Sequence, residues 1–257
     1  MIEKPSPLGF IFQHSAFRLE ELEAAYRAMR RPVSNARKVL EYHVASGRLV
    51  NVRRGVYASM DFVDPWLLAS KMAKEVVISH DGALSFHGLT GMEHRVTYMT
   101  TERTTGAIYQ EMIYAPLRVT EDRLLSSEWV PFERESQPIR VTSIAHALVD
   151  CLSLLERSPE PIELLGIFVQ CAKSADADAM IRHAYSFESP LLVTRLAFFM
   201  SCARFDLHKA QWEELARRGV QDATYFLRSA RTKDDCHVPR WKLIVPPDLH
   251  QCWLNVH

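Results

Sequence analysis

A mixed α+β chain is what this sequence predicts, and three observations predict it. Apolar residues recur at helical spacing over 18–46, β-branched and aromatic runs crowd 94–141, and helical stripes return from 143 onward. The expected arrangement is a small N-terminal domain over 1–60 and a larger α/β domain over 61–257, the latter with a β-rich centre and a helical C-terminal half. Hydrophobic residues make up 47% of the 257 and charged residues 24%, a balance that excludes a disordered chain.

Element by element, Leu19, Leu22, Ala25, Tyr26 and Met29 fall three or four apart and predict a helix over about 18–30, closed by Pro32. In PVSNARKVLEYHVASG, Val33, Ala36, Val39, Leu40, His43 and Val44 share one face of a second helix, about 33–46. Ser34, Arg37, Lys38, Glu41 and Ala45 share the other, flanked by Asn35 and Tyr42, and Gly47 stands where a C-cap glycine belongs. RLVNVRRGVYA then reads as a tight hairpin, with Leu49-Val50 and Val56-Tyr57 around Arg53-Arg54-Gly55. Helix, turn, helix, hairpin is the order of a winged helix-turn-helix. In such a fold the second helix enters the major groove and the wing touches flanking backbone.

The whole chain is neutral, 31 Lys+Arg against 31 Asp+Glu, which excludes a uniformly basic nucleic-acid coat. Locally it is not. Over 27–57, Arg27, Arg30, Arg31, Arg37, Lys38, Arg48, Arg53 and Arg54 face Glu41 alone, a net +7 that the rest of the chain offsets. Such asymmetry points to a nucleic-acid partner. The residues expected at DNA are Arg30, Arg31, Ser34, Asn35, Arg37, Lys38, Tyr42, Arg48, Arg53 and Arg54. Arg37 and Lys38 suit guanine O6/N7 or phosphate, Asn35 an adenine edge, Ser34 base or phosphate, and Arg53 and Arg54 phosphate or the minor groove. The bland alternatives are a solvated basic face and a winged helix used for protein contacts.

Beyond the hairpin, Asp64 and Pro65 mark the cap and first position of a helix over about 65–74. VVISHDGALSFHGLTG reads as a short strand, Val76 to Ile78, then a helical turn carrying Ala83, Leu84 and Phe86 that stops at Gly88. RVTYMTT, AIYQEMIYAP, LRVTEDRLL, WVPFERE and PIRVTS are strand-like. Thr142 or Ser143 caps a helix over about 143–156, and further helices are expected over 160–174, 176–185, 190–204 and 208–218, ahead of the closing PRWKLIVPPDLHQCW.

The search for catalysis returns little. G-x-S-x-G, P-loop, G-x-G-x-x-G and H-E-x-x-H are all absent, so no catalytic residue, cofactor or metal is expected. His80, Asp81 and His87 have the wrong spacing for adjacent ligands on one helix face. Asp150 and Glu156 read as solvated or capping carboxylates. Five scattered cysteines with no C-x-x-C pair suit a reducing cytoplasm, and the N-terminus lacks the apolar stretch of a signal peptide. No run of 18 apolar residues occurs, so no membrane partner is expected.

SGRLVNVRRGVYA, DPWLLASKMAKEVVISHDGALSFHGL and IRVTSIAHALVDCL, in that order and closed by WKLIVPPDL, resemble the AbiEi-type antitoxins of bacterial type IV toxin–antitoxin, or abortive-infection, systems. The resemblance spans about 15–250 and is loose over 157–240. It implies a winged-helix repressor that binds inverted repeats of double-stranded promoter DNA, self-associating there, and a C-terminal domain that counters a nucleotidyltransferase-like toxin. It also implies that Gly55, Tyr57, Ala83, Leu84, His87 and Gly88 form the fold rather than contact anything. Two other functions stay open at this point: a protein-interaction module without DNA binding, and a mobile-element nuclease with an unrecognised site.

Overall fold

The computed structural model describes residues 7–91, 95–155, 158–227 and 232–256 and shows a mixed α+β chain divided into two compact units. One holds the chain up to Phe86 and then Gly91–Thr142; the other holds His87–Thr90 and the chain from Ser143. The expected division at residue 60 is not where the chain separates. The hairpin is bonded to the sheet that follows it: Tyr109 Oη donates to the Ser59 carbonyl (2.5 Å) and Gln110 Nε2 to that of Met60 (3.1 Å).

The first unit opens with α1 (Pro7–Gln13), β1 (Ala16–Arg18), α2 (Leu19–Ala28), α3 (Val33–Ala45), β2 (Leu49–Arg53) and β3 (Val56–Ser59). β3 lies between β1 and β2, antiparallel to both. This is winged helix-turn-helix topology with a helix and strand ahead of the predicted ones. Seven and three residues are too few to show a period. Ile11, Phe17, Leu22, Tyr26, Ala36, Leu40 and Leu49 form its core.

α2 and α3 end in the same device. The amide of Arg31 donates to the Tyr26 carbonyl and that of Arg48 to the His43 carbonyl, each across a left-handed residue, Arg30 (φ +53°) and Gly47 (φ +70°). Val44, expected inside, is 36% exposed because the last turn of α3 borders an open groove beside the hairpin.

α4 (Pro65–Lys71) starts on Asp64, whose Oδ1 accepts the amides of Trp66 and Leu67. After it come β4 (Val77–Ile78), α5 (His80–Phe86), β5 (Arg95–Thr100), β6 (Ala107–Tyr109), β7 (Met112–Arg118), α6 (Glu121–Ser126), β8 (Trp129–Arg134) and β9 (Gln137–Thr142). The strands make one sheet in the order β6-β7-β5-β4-β9-β8, with β5/β7 and β4/β9 parallel. LRVTEDRLL is not one strand. It breaks into the end of β7 and the helix α6, because the Thr120 hydroxyl caps the Arg123 amide and Glu121 and Asp122 suit a helical first turn.

The second unit contains α7 (Ile144–Ser153), α8 (Pro161–Cys171), α9 (Ala177–Tyr185), α10 (Pro190–Cys202), α11 (Lys209–Arg218), β10 (Thr224–Tyr225), β11 (Cys236–Val238), β12 (Leu243–Val245) and α12 (Pro247–Leu254). The first five lie within the predicted helices, trimmed at their ends, and Ser143 caps α7. Every residue of α10 from Leu191 to Cys202 is buried, with Phe168, Phe226 and Trp253 packed on its Phe198 and Phe199. The closing segment supplies β12, which pairs with β10 and β11, and α12. Among the described residues no helix is long and apolar enough to cross a membrane.

Candidate nucleic-acid interface

α3 is anchored through Ala36, Leu40 and His43, with Val39 half-buried against the same core, and its other face points outward. Ser34, Asn35, Arg37, Lys38, Glu41 and Tyr42 are exposed, as are Arg30 and Arg31 in the turn before the helix. The left-handed Arg30 reverses the chain between α2 and α3 and leaves both turn arginines at the surface beside the start of α3. Among the described residues, no hydrogen bond or ion pair engages the Lys38 or Arg54 side chain. The predicted helix face is therefore assembled as one exposed, basic surface.

Arg37, Arg48 and Arg53 are engaged. Arg37 Nε and Nη2 each lie 3.1 Å from Glu23 Oε1, and the same carboxylate meets Arg27 at 3.5 Å. Arg48 sits over the Tyr42 ring, 5.9 Å from its centroid. Arg53 is bonded within the fold. Its Nη1 donates to the Thr104 hydroxyl and the Thr105 carbonyl in the loop between β5 and β6, so it ties the wing down. Arg54, one residue on, is exposed, and Gly55 (φ +78°) turns the hairpin. Arg54 lines a groove of about 420 Å³ with Arg37, Glu41, Val44, Asn51 and Tyr57, between α3 and the wing.

Chemically, this surface offers hydroxyl, amide, guanidinium and ammonium groups on one helix. That set can meet both phosphates and base edges. Glu23, 14 residues before Arg37, was not part of the predicted site, and no sequence signal marks it: the pairing exists only because α2 and α3 cross. Thr104 is likewise brought to Arg53 from 51 residues away.

No protein-family model and no curated protein matches the chain. Among solved structures, the RV2827C protein from Mycobacterium tuberculosis is similar in fold, at TM-score 0.63 and 14% identity, covering 92% of this chain and 88% of that one. At that identity the likeness concerns the fold.

Other residues noted in the sequence lie as follows within the fold. His80 is buried with Nδ1 2.9 Å from Ser79 Oγ, and Asp81 pairs with Arg95 at 2.7 Å. Ala83 and Leu84 are fully buried, Tyr57 stacks on Phe17, and Gly88 holds φ +71°. Asp150 corrects the reading of a solvated or capping carboxylate. It is 1% exposed and lies 2.9 Å from His183 Nε2, whose ring stacks on His146 at 3.7 Å. Glu156 lies outside the described residues.

Proposed function

We propose that the N-terminal winged helix binds double-stranded DNA in a sequence-dependent way, and that the chain is a cytoplasmic, non-enzymatic repressor and antitoxin of AbiEi type. The observation that carries this reading is the exposed half of α3, with Ser34, Asn35, Arg37 and Lys38 on one face and Arg30 and Arg31 at its entry. A helix of this kind fits the major groove, and two copies on an inverted repeat supply the affinity that one small module lacks. The second unit is then the part that meets a nucleotidyltransferase-like toxin.

The test is fluorescence anisotropy with the duplex upstream of the chain's own operon, across a salt series. Lys38→Ala is expected to weaken the specific duplex about tenfold and an unrelated duplex far less. Equal loss on both makes Lys38 a phosphate contact, and no loss on either removes α3 from the interface. A second reading, a protein-contact module, is favoured by Arg53, which is committed to Thr104 rather than offered outward. Co-purification with a neighbouring gene product and no retention on any duplex separates the two.

A further inference from the structure

The wing does not stand alone at its tip. β6 runs beside the hairpin, and bonds at both of its ends set the direction. At the hairpin tip, Arg53 Nη1 donates to the Thr104 hydroxyl and the Thr105 carbonyl, just ahead of β6. At the hairpin base, Tyr109 and Gln110 donate to the Ser59 and Met60 carbonyls. The loop between β5 and β6, residues 101–106, is thereby held at the tip end of the wing, while the β6–β7 turn with the exposed Glu111 lies at the base end. Arg53 is one hold among several. The ladder with β7 fixes Ala107 to Tyr109, and Gly106 lies so close to β7 that a Cβ on it would stand 2.8 Å from the Tyr114 carbonyl oxygen.

Outward, this loop presents one cation and one hydroxyl. Arg103 and Thr105 are exposed, and among the described residues no hydrogen bond or ion pair engages the side chain of either. The stretch TERTTG is neutral as a sequence, which hides it from a search for basic runs. In the fold its two charges part. Glu102 Oε1 accepts the Lys74 amide at 2.8 Å, drawing the carboxylate to the chain that follows α4, and the Arg103 guanidinium stays at the surface. Arg103 thus shares the condition of Lys38 and Arg54, a cation that meets an external anion without first breaking an internal bond.

We infer that the β5–β6 loop is a second backbone-contacting element of the DNA interface, in which Arg103 meets a phosphate next to the stretch reached by Arg54 and the Thr105 hydroxyl donates beside it. The chemistry fits: a guanidinium fork matches phosphate oxygens, and threonine hydroxyls are regular phosphate donors. In a winged helix the hairpin touches the backbone flanking the groove-bound helix, so a loop fastened to its tip reaches the same backbone. This inference rests on the proposed binding of duplex DNA through α3.

The experiment measures anisotropy of the full chain on the duplex upstream of its own operon and on an unrelated duplex, across a salt series. Arg103→Ala is expected to weaken both duplexes severalfold and by equal factors, to lower the salt slope by about one, and to leave the thermal transition unchanged. Arg103→Lys should restore the slope, and Lys173→Ala, at an exposed cation of the second unit, should not alter it. Hydroxyl-radical cleavage of the bound duplex is expected to reveal, in Arg103→Ala, newly cut sugars beside those uncovered by Arg54→Ala. An unchanged slope in Arg103→Ala while Lys38→Ala still loses the specific duplex overturns the inference and leaves α3 in place. An equal fall in slope for Lys173→Ala overturns it as well, since net charge alone would then account for the effect. Failure of the unaltered chain to bind any duplex removes the DNA-binding reading itself, and this inference with it.

Discussion

The α3 surface of the first unit and the interior of the second dispose of their charged side chains in opposite ways. In the first, Arg30, Arg31, Lys38 and Arg54 are held at the surface, and Glu23 is the carboxylate that meets the recognition face, through Arg37. In the second, Arg195, His146, Asp150 and His183 are at most 9% exposed. Arg195 there donates from Nε to the Phe226 carbonyl and from Nη1 to the Leu152 carbonyl, both at 3.0 Å. Even the exposed helix α11 closes on itself. Glu214 accepts from Arg217 and Arg218, whose hydrogen bonds pull its carboxyl down to about 2. A cation without an internal partner meets an external anion without first breaking a bond, whereas an internally bonded one holds the fold together. The difference separates a surface suited to recognition from an interior suited to stability.

The sharpest way to break this contrast is Arg195→Ala. Removing the guanidinium strands two carbonyls and opens a cavity, so unfolding free energy should fall by about 3 kcal/mol or more in urea titration. A change within the scatter of surface substitutions would put Arg195 in the same class as Lys38. Gly82→Ala asks whether the first unit, for all its exposed charge, is packed as tightly inside. A Cβ there stands 2.8 Å from the Thr97 carbonyl oxygen and 3.0 Å from its nitrogen. Backbone rather than a flexible side chain is in the way, so a loss of about 1–3 kcal/mol is expected by the same measurement.

Smaller effects sharpen the comparison within the wing. Arg54→Ala should lower the salt slope of duplex binding by about one while leaving stability alone. Arg53→Ala should leave the slope and cost about 1 kcal/mol of stability through its lost bonds to Thr104 and Thr105. Equal slopes in the two variants would mean that both arginines reach phosphate.

The smallest effect concerns pH. Burial holds His14 and His43 below the ordinary value of 6.5, so the unfolded chain binds more protons than the folded one just beneath that pH. Stability should then decline as pH drops from about 7 toward 5, and His43→Phe should flatten part of that decline. A steeper decline in the variant would assign the effect to other groups.

Much of the fold was readable because its signals are local. Helical stripes, the Asp64-Pro65 and Ser143 caps, and the glycines at 47, 55 and 88 act within a few residues, and each has its predicted place. The candidate site was readable to the same depth: Ser34, Asn35 and Lys38 are outward because Ala36 and Leu40 are inward. What stayed out of reach was either too short to carry a period, as in α1 and β1, or dependent on partners far along the chain. The contact of Arg53 with Thr104 is the clearest instance. The neighbouring Arg54 has the same residue type and local context, yet only Arg53 meets Thr104.

The sequence by itself determined the α+β class, the winged helix and its outward basic face, since periodicity and caps are properties of adjacent residues. Tertiary structure alone decided which cations stay available and which are bound, that the wing fastens to the following sheet, and that Asp150 is buried against His183. Those outcomes depend on which distant side chains are packed together, and that is fixed by the burial of apolar surface over whole elements rather than by any local pattern.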